Sequence, residues 1–527
     1  MNQYRINHAL FCRRKSQIAL IFVLVLAFIP YCRLLSAYFL GYDDFIETHR
    51  SAFEDTRQPS RIFTTGHFHA LKYRPLNRAF NFATYHLGKG KPWPFRARNV
   101  FFHLLNTAII FYLGTLLFGS ILTSGLASIL FAWNPLAHQA VAGAVMTNSA
   151  AAAFALLAVA LGINSYHARQ SHSRQLILAI AFAWIGTLLY EADVVIPGIL
   201  ILYWVFDTAC LQRPRISRTW IWTLLLLTAY IVSCTIILRS LVLHRSNMAI
   251  APLSLIAHNG IIYAVAMLLP VDPLLVNHWF GTPLAPALIS GISRGNLVII
   301  SVCGTCTAVV GFTMLFRSFR KNVRNAGFVH CAFLISGAFL AILPLLIYNE
   351  HPSETYLYLP LSFLMLYLGR LLFLLRDRST IAFVVVTTLL LTSFASATWE
   401  RSIRVISSAA IAERILLKLP TNSWRQGSWT IRLANAPGNK LPPRYGLYDY
   451  AGLDTIGVDD GVMGVQDAIQ LRIQGENVSA VVLEASEMSK VCTREITDLK
   501  PCFWIYPNGD VHQYISDIPE ISRPNAK

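Results

Sequence analysis

Apolar blocks of about twenty residues recur along this chain, and they constrain its fold more than any other feature. The first is SQIALIFVLVLAFIPYCRLLSAYFL at 16–40. A helix needs about 20 apolar residues to cross the hydrocarbon of a bilayer. Of 527 residues, 55% are hydrophobic and only 13% are charged, against roughly 25% in an ordinary soluble domain. The pattern predicts spans near 17–39, 99–118, 120–137, 144–165, 175–190, 192–206, 219–240, 291–316, 327–348, 356–375 and 380–397. The expected fold class is therefore an all-α polytopic membrane protein of about eleven crossings. The first block is too long for a cleaved leader and has no small-residue cleavage site.

The net charge of +17 is compatible with nucleic acid in amount but not in placement. The cations gather in short connections: Arg13, Arg14 and Lys15; Arg169 and Arg174; Arg213, Arg215 and Arg218; Arg317, Arg320, Lys321 and Arg324; Arg376 and Arg378. Basic short loops mark the cytoplasmic side of a membrane protein. The expected partner is the lipid bilayer and not nucleic acid, with the N-terminus inside and, after an odd number of crossings, the C-terminus outside. The apolar stretch 254–270 does not fit this alternation and reads as a hairpin or interfacial helix on the outer side.

Two long polar segments remain, a first loop at 40–98 and a tail at 399–527, and both face outward in this topology. The division is a membrane module at 1–398 and a small extracytoplasmic α+β domain at 399–527. That domain would open with the helical stretch WERSIRVISSAAIAERILLKLP. Strand-like runs SWTIRLA, NVSAVVLEA and CFWIYP follow, and PNGD at 507–510 signals a hairpin. Cys492 and Cys502 are candidates for a disulfide in an oxidising compartment. Cys303 and Cys306, in CGTC, sit inside an apolar run with no other ligands near them, and read as helix packing rather than a metal pair. Asn477-Val-Ser is a glycosylation sequon if the source is eukaryotic.

The acids beside the spans carry the chemistry. GYDDFIETHR at 41–50 places Asp43 and Asp44 just after the first span; Glu191 and Asp193 lie in LLYEADVVIPG; Glu350 and Glu354 lie in YNEHPSETYLYLP. All three connections face outward in the expected topology. Acids next to hydrocarbon are costly to keep and are candidates for function. The first loop adds Arg57, Arg61, Lys72, Arg74 and Arg78. Arginine grips phosphate through two parallel hydrogen bonds. A carboxylate beside a phosphate clamp at a membrane surface fits transfer from a lipid phosphate: the acid activates an acceptor and the cations offset charge on the departing phosphate. Asp43 and Asp44 are the catalytic candidates, and a divalent cation held by them is an open possibility. His67 and His69 read as ordinary loop histidines. His103 and Asn106, three apart, share a helix face as a buried polar pair, and His103 is carried as a substrate-binding candidate.

Four segments together resemble a known family. YRPLNRAFNFATYHLGKGKPWPFRARNVFFHLLNTAIIFYL, LLYEADVVIP, LIAHNGIIYAVAMLLPVDPLLVNHW and ETYLYLPLSF are similar, in order and spacing, to segments of the transmembrane and tetratricopeptide-repeat O-mannosyltransferases and their bacterial relatives. These belong to the GT-C class of integral membrane glycosyltransferases. The resemblance covers about residues 20–397. It implies that Asp43 and Asp44 are the acidic motif of the first outer loop, and that Arg74, Glu191, Glu354 and Tyr356 line one cavity. It also implies a polyprenyl-phosphate sugar donor. The chain departs from the family at Arg96 (usually His), Gln139 (usually Glu), Tyr190 (usually Lys) and Thr355 (usually Arg), and its tail has no tetratricopeptide repeats. The last two departures remove cations, which Arg74 or Arg78 would replace.

The expected function is transfer of a sugar from a polyprenyl-phosphate carrier to a protein, lipid or glycan acceptor, at the outer face of a bacterial cytoplasmic membrane. A ligase or polymerase of diphosphate-linked glycans, a transporter, and a non-catalytic scaffold of the same fold are the rival readings.

Overall fold

The computed structural model describes residues 2–40, 42–64, 73–167, 173–211, 225–233, 252–270, 273, 276, 326–347, 353–424, 428–435, 462–483, 487, 491–492, 501–506 and 510–513. Lys72, His67, His69, Cys303, Cys306 and the expected span 291–316 lie outside them, as does most of 219–240.

Six helices are long and apolar enough to cross a membrane: Arg14–Ser36, Pro92–Phe118, Asn148–Tyr166, Val329–Leu346, Glu354–Arg376 and Thr380–Lys418. Shorter apolar helices occupy Ile121–Ala132, Arg174–Leu189 and Leu253–Leu268. The stretch read as a hairpin or interfacial element is thus, in its described part, one unbroken helix. The helix expected to open the tail is instead the end of a 39-residue helix, Thr380–Lys418, that begins in the last apolar block. No Gly or Pro interrupts that stretch, so nothing in the backbone ends it before Pro420.

The chain groups into two compact units. The first comprises residues 1–35, 62–80 and 96–402, and the second residues 36–61, 81–95 and 403–527. Two pieces of the first polar loop therefore belong with the tail.

In the first unit small residues bring helices together. Ala151, Ala155 and Ala158 repeat on one face of helix Asn148–His167 and are fully buried, and this helix packs on Ser173–Leu189. Without a hydrophobic drive between helices in lipid, close backbone approach and dispersion supply the association. Gly369 shows how close the approach is: a Cβ there would lie 2.9 Å from the Thr123 carbonyl oxygen and the Ala127 nitrogen. Ile18, Ile21, Phe22 and Val25 on the first helix, and Ile381, Val384 and Val385 on the last, are exposed, as befits faces turned to acyl chains.

In the second unit a four-stranded sheet has the order β2-β1-β3-β4, with β1 at Trp429–Asn435, β2 at Val478–Val482, β3 at Cys502–Ile505 and β4 at Val511–Gln513. β3 and β4 pair antiparallel, with Trp504 opposite His512, as the hairpin signal predicts. β1 runs parallel to both β2 and β3, and parallel neighbours need a crossover. Helix Val462–Ile473 lies between β1 and β2 in sequence and packs on β2. Cys492 and Cys502 are joined, with Cα atoms 6.3 Å apart.

Candidate active site and its cavity

Two of the acid-bearing connections in the first unit are built alike. Helix Ser173–Leu189 stops at Tyr190, whose backbone is extended, and a 3₁₀ turn over Glu191–Val195 leads into helix Ile196–Leu211. Ser353 is likewise extended, and a 3₁₀ turn over Glu354–Leu357 leads into helix Tyr358–Arg376. Pro197 and Pro360 fall in the first turns of the following helices, where the missing N–H costs nothing. Each acid thus opens a tight turn at the end of a span, with its side chain free to face the bundle.

Arg74 brings the first loop into contact with one of these turns. Its guanidinium donates to both Glu191 oxygens, Nη2 to Oε1 at 2.6 Å and Nε to Oε2. It also lies over the Tyr190 ring at 4.6 Å. Burial alone would lower the Arg74 pKa, but Glu191, with Tyr190 and Tyr356, raises it above its ordinary value. Tyr190 stacks in turn on Tyr356, with centroids 6.3 Å apart and planes 22° from parallel. One turn on, Arg78 is buried.

Beside this stack lies a small cavity lined by Asn148, Tyr190, Asp193, Thr355, Tyr356 and Tyr358 on its polar side. Asp193 is 2% exposed. Burial, and then the negative charge of Glu191, push its carboxyl up to about 8. Two carboxyls two residues apart are thus in opposite states at neutral pH. Glu191 is charged in its bidentate pair, and Asp193 is protonated. Such a split separates an ion-pairing group from a hydrogen-bond donor.

Glu354 does not line this cavity. It is buried and pairs with Arg401, itself 1% exposed and also donating to the Pro135 carbonyl. His103 is also spent inside the protein. Its Nε2 donates to the Ala132 carbonyl at 3.2 Å, so its Nδ1 accepts from the Tyr358 hydroxyl at 2.7 Å. Asn106 donates to the Ser149 carbonyl at 2.7 Å and to the Tyr358 oxygen at 3.2 Å. The His103–Asn106 pair therefore fixes Tyr358, which does reach the cavity. Sequence reasoning missed Asn148, Tyr358 and Arg401. Arg401 carried a signal, as a cation just after an apolar block, but its partner lies 47 residues away.

In the second unit, Asp43 and Asp44 stand in the first turn of helix Tyr42–His49. They differ. Asp44 is 4% exposed and its Oδ2 accepts the Leu40 N–H at 2.9 Å, which holds the entry to the helix. Asp43 is half-buried. Tyr38, Phe39, Phe45 and Phe95 form a ring cluster beneath this turn. Helix Tyr42–His49 packs on helix Val462–Ile473, and His49 Nδ1 lies 3.4 Å from Asp467 Oδ1. Among the described residues, no three His, Cys, Asp or Glu side chains form a group that could hold a metal ion.

No protein-family model matches the chain, and no curated protein sequence matches it. Solved structures do. ArnT of Cupriavidus metallidurans bound to undecaprenyl phosphate matches at 12% identity, covering 93% of this chain and 92% of that one, with a TM-score of 0.47. An oligosaccharyltransferase of Archaeoglobus fulgidus, in complex with zinc and sulfate, matches at 10% identity over 94% of this chain and 72% of that one, TM-score 0.47. The mycobacterial arabinofuranosyltransferase AftD matches at 18% identity over 81% of this chain and 31% of that one, TM-score 0.41. All three are GT-C glycosyltransferases.

Proposed function

We propose that this chain is an integral membrane glycosyltransferase of the GT-C type that takes its sugar from a polyprenyl-phosphate donor. One observation carries the reading. Three stretches far apart in sequence, at 74, 190–193 and 355–358, meet as an arginine, a carboxylate and a tyrosine stack beside one cavity. The four sequence segments that resemble the O-mannosyltransferases include all three stretches.

The chemistry follows from the side chains. Two of the five N–H groups of Arg74 go to Glu191, which fixes the guanidinium plane. The remaining N–H groups suit a phosphate oxygen. Asp43 is the base, because Asp44 is committed to the backbone of Leu40. The base takes the acceptor's hydroxyl proton, the acceptor oxygen bonds to the anomeric carbon, and the bond from that carbon to the phosphate oxygen breaks. Polyprenyl phosphate leaves with the bonding pair, its charge offset by Arg74. The topology that serves this reaction puts the first loop and the tail outside a bacterial cytoplasmic membrane.

The test is incubation of the purified full chain with a panel of polyprenyl-phosphate sugars and mixed protein, lipid and glycan acceptors. Transfer that falls by a factor of about 10² to 10⁴ in Asp43→Asn supports the reading. Transfer that survives Asp43→Ala and Asp44→Ala assigns the chain to the ligases instead. Neither binding nor transfer with any donor assigns it to non-catalytic relatives of the same fold.

A further inference from the structure

The cavity beside Tyr190 contains two buried oxygens that the protein itself does not satisfy. Asp193 Oδ2 and the Tyr190 hydroxyl both line it, and neither has a hydrogen-bond partner. Buried polar atoms almost always have partners, and an orphan needs an explanation. Here two orphans share one void. Its free space is about 10 Å³, enough for roughly one water-sized group. Its lining holds no lysine and no arginine, so it has nothing to offer an anion. Asn148, Thr355 and Tyr356 add neutral donors and acceptors around the same space.

We infer that this cavity is a subsite for a single neutral hydroxyl of a sugar, and that Asp193 is a specificity-determining residue that donates a hydrogen bond to it. The inference rests on the proposed glycosyltransferase function and deepens it: Arg74 takes the phosphate and Asp193 takes the carbohydrate. A protonated carboxyl both donates and accepts, which is what a hydroxyl requires of its partner. Burial of Asp193 favours that protonated form. Gly186 completes the subsite. A Cβ on it would come within 3.0 Å of Asp193 Oδ2, so glycine is what leaves the carboxyl its place.

The experiment uses the full chain in lipid nanodiscs at pH 7. The probes are free D-mannose, D-glucose, D-galactose, L-arabinose and N-acetylglucosamine, followed by saturation-transfer NMR, and bare decaprenyl phosphate in a separate binding assay. The inference expects saturation transfer to at least one sugar. Apparent affinity falls tenfold or more in Asp193→Ala and in Gly186→Ala. It stays within about threefold in Asp193→Asn, whose amide also donates and accepts. Bare decaprenyl phosphate binds wild type and all three variants alike. Thermal unfolding of each variant separates lost binding from lost structure. Equal sugar affinity in wild type and Asp193→Ala overturns the inference. So does transfer to no sugar, which leaves the cavity to a water molecule. Loss in Asp193→Asn equal to that in Asp193→Ala overturns the neutral-donor role. Sugar binding that obeys the expectation, without any binding of decaprenyl phosphate, upholds the subsite and removes the lipid-phosphate donor.

Discussion

The pair between Glu354 and Arg401 offers the sharpest energetic test of how the site's surroundings are held. Glu354 and Arg401 are 3% and 1% exposed at their side chains, and Arg401 also donates to the Pro135 carbonyl. Glu354→Ala removes the only charge shown pairing with this guanidinium and leaves a cation in a low-dielectric interior. Removing one partner of a buried pair costs about 3–5 kcal/mol, whereas replacing both by apolar groups of similar size is often close to neutral. The double variant Glu354→Ala with Arg401→Met should therefore be more stable than Glu354→Ala alone. The coupling in a double-mutant cycle should reach about 2 kcal/mol or more, within the range seen for residues in one network. The assay is fraction folded against SDS in mixed micelles, for wild type, both single variants and the double variant. A coupling below about 0.5 kcal/mol, the level of independent sites, would refute the argument that the pair is a dry structural bridge and would return Glu354 to the ligand-facing residues.

Arg74→Ala should lower transfer by about 10²-fold, and Arg74→Lys should recover little of it, since lysine cannot keep two parallel bonds to Glu191; initial rates at saturating donor decide this. Asp44→Ala should cost stability of about 1–3 kcal/mol by orphaning the Leu40 N–H, while Asp43→Asn should lose turnover with an unchanged melting temperature. Removing the Cys492–Cys502 bridge, which closes a loop of sequence separation 10, should cost the second unit about 2–3 kcal/mol, read as protease sensitivity under reducing conditions. Burial raises Asp467 from 3.8 to about 7, so the folded chain holds a proton that the unfolded chain releases. Stability should fall as pH rises from about 4 to about 7, and Asp467→Asn should abolish that fall. The lowered pKa of His49, again through burial, acts in the opposite sense, adding stability as pH rises towards 6.5. Finally, His49–Asp467 and Arg57–Glu476 tie the first loop to the tail within one compact unit, so an even number of crossings should separate them. Cysteines placed at the exposed positions Ser60 and Asn477 should react with a membrane-impermeant maleimide from the same side, and labelling from opposite sides would break this.

The sequence by itself determined the class of fold. Blocks such as 16–40 bury or face lipid whatever their neighbours, because an unpaired backbone in hydrocarbon costs more than any alternative to a helix recovers. The strand-like runs of the tail and the hairpin around 507–510 were equally legible, since alternation and turn chemistry are local. The acids at span ends were legible as candidates for the same local reason: charge beside hydrocarbon is expensive. What each acid does was not. Asp43 and Asp44 are neighbours of identical chemistry, yet one holds the Leu40 backbone. Glu191 and Glu354 open matching turns, yet one orients Arg74 beside a cavity and the other neutralises Arg401. The parallel placement of β1 between β2 and β3, and the union of first-loop segments with the tail, were likewise decided only by the tertiary structure. Burial, pairing and protonation are properties of what surrounds a side chain in space, and for these residues the neighbours that matter lie tens to hundreds of positions away.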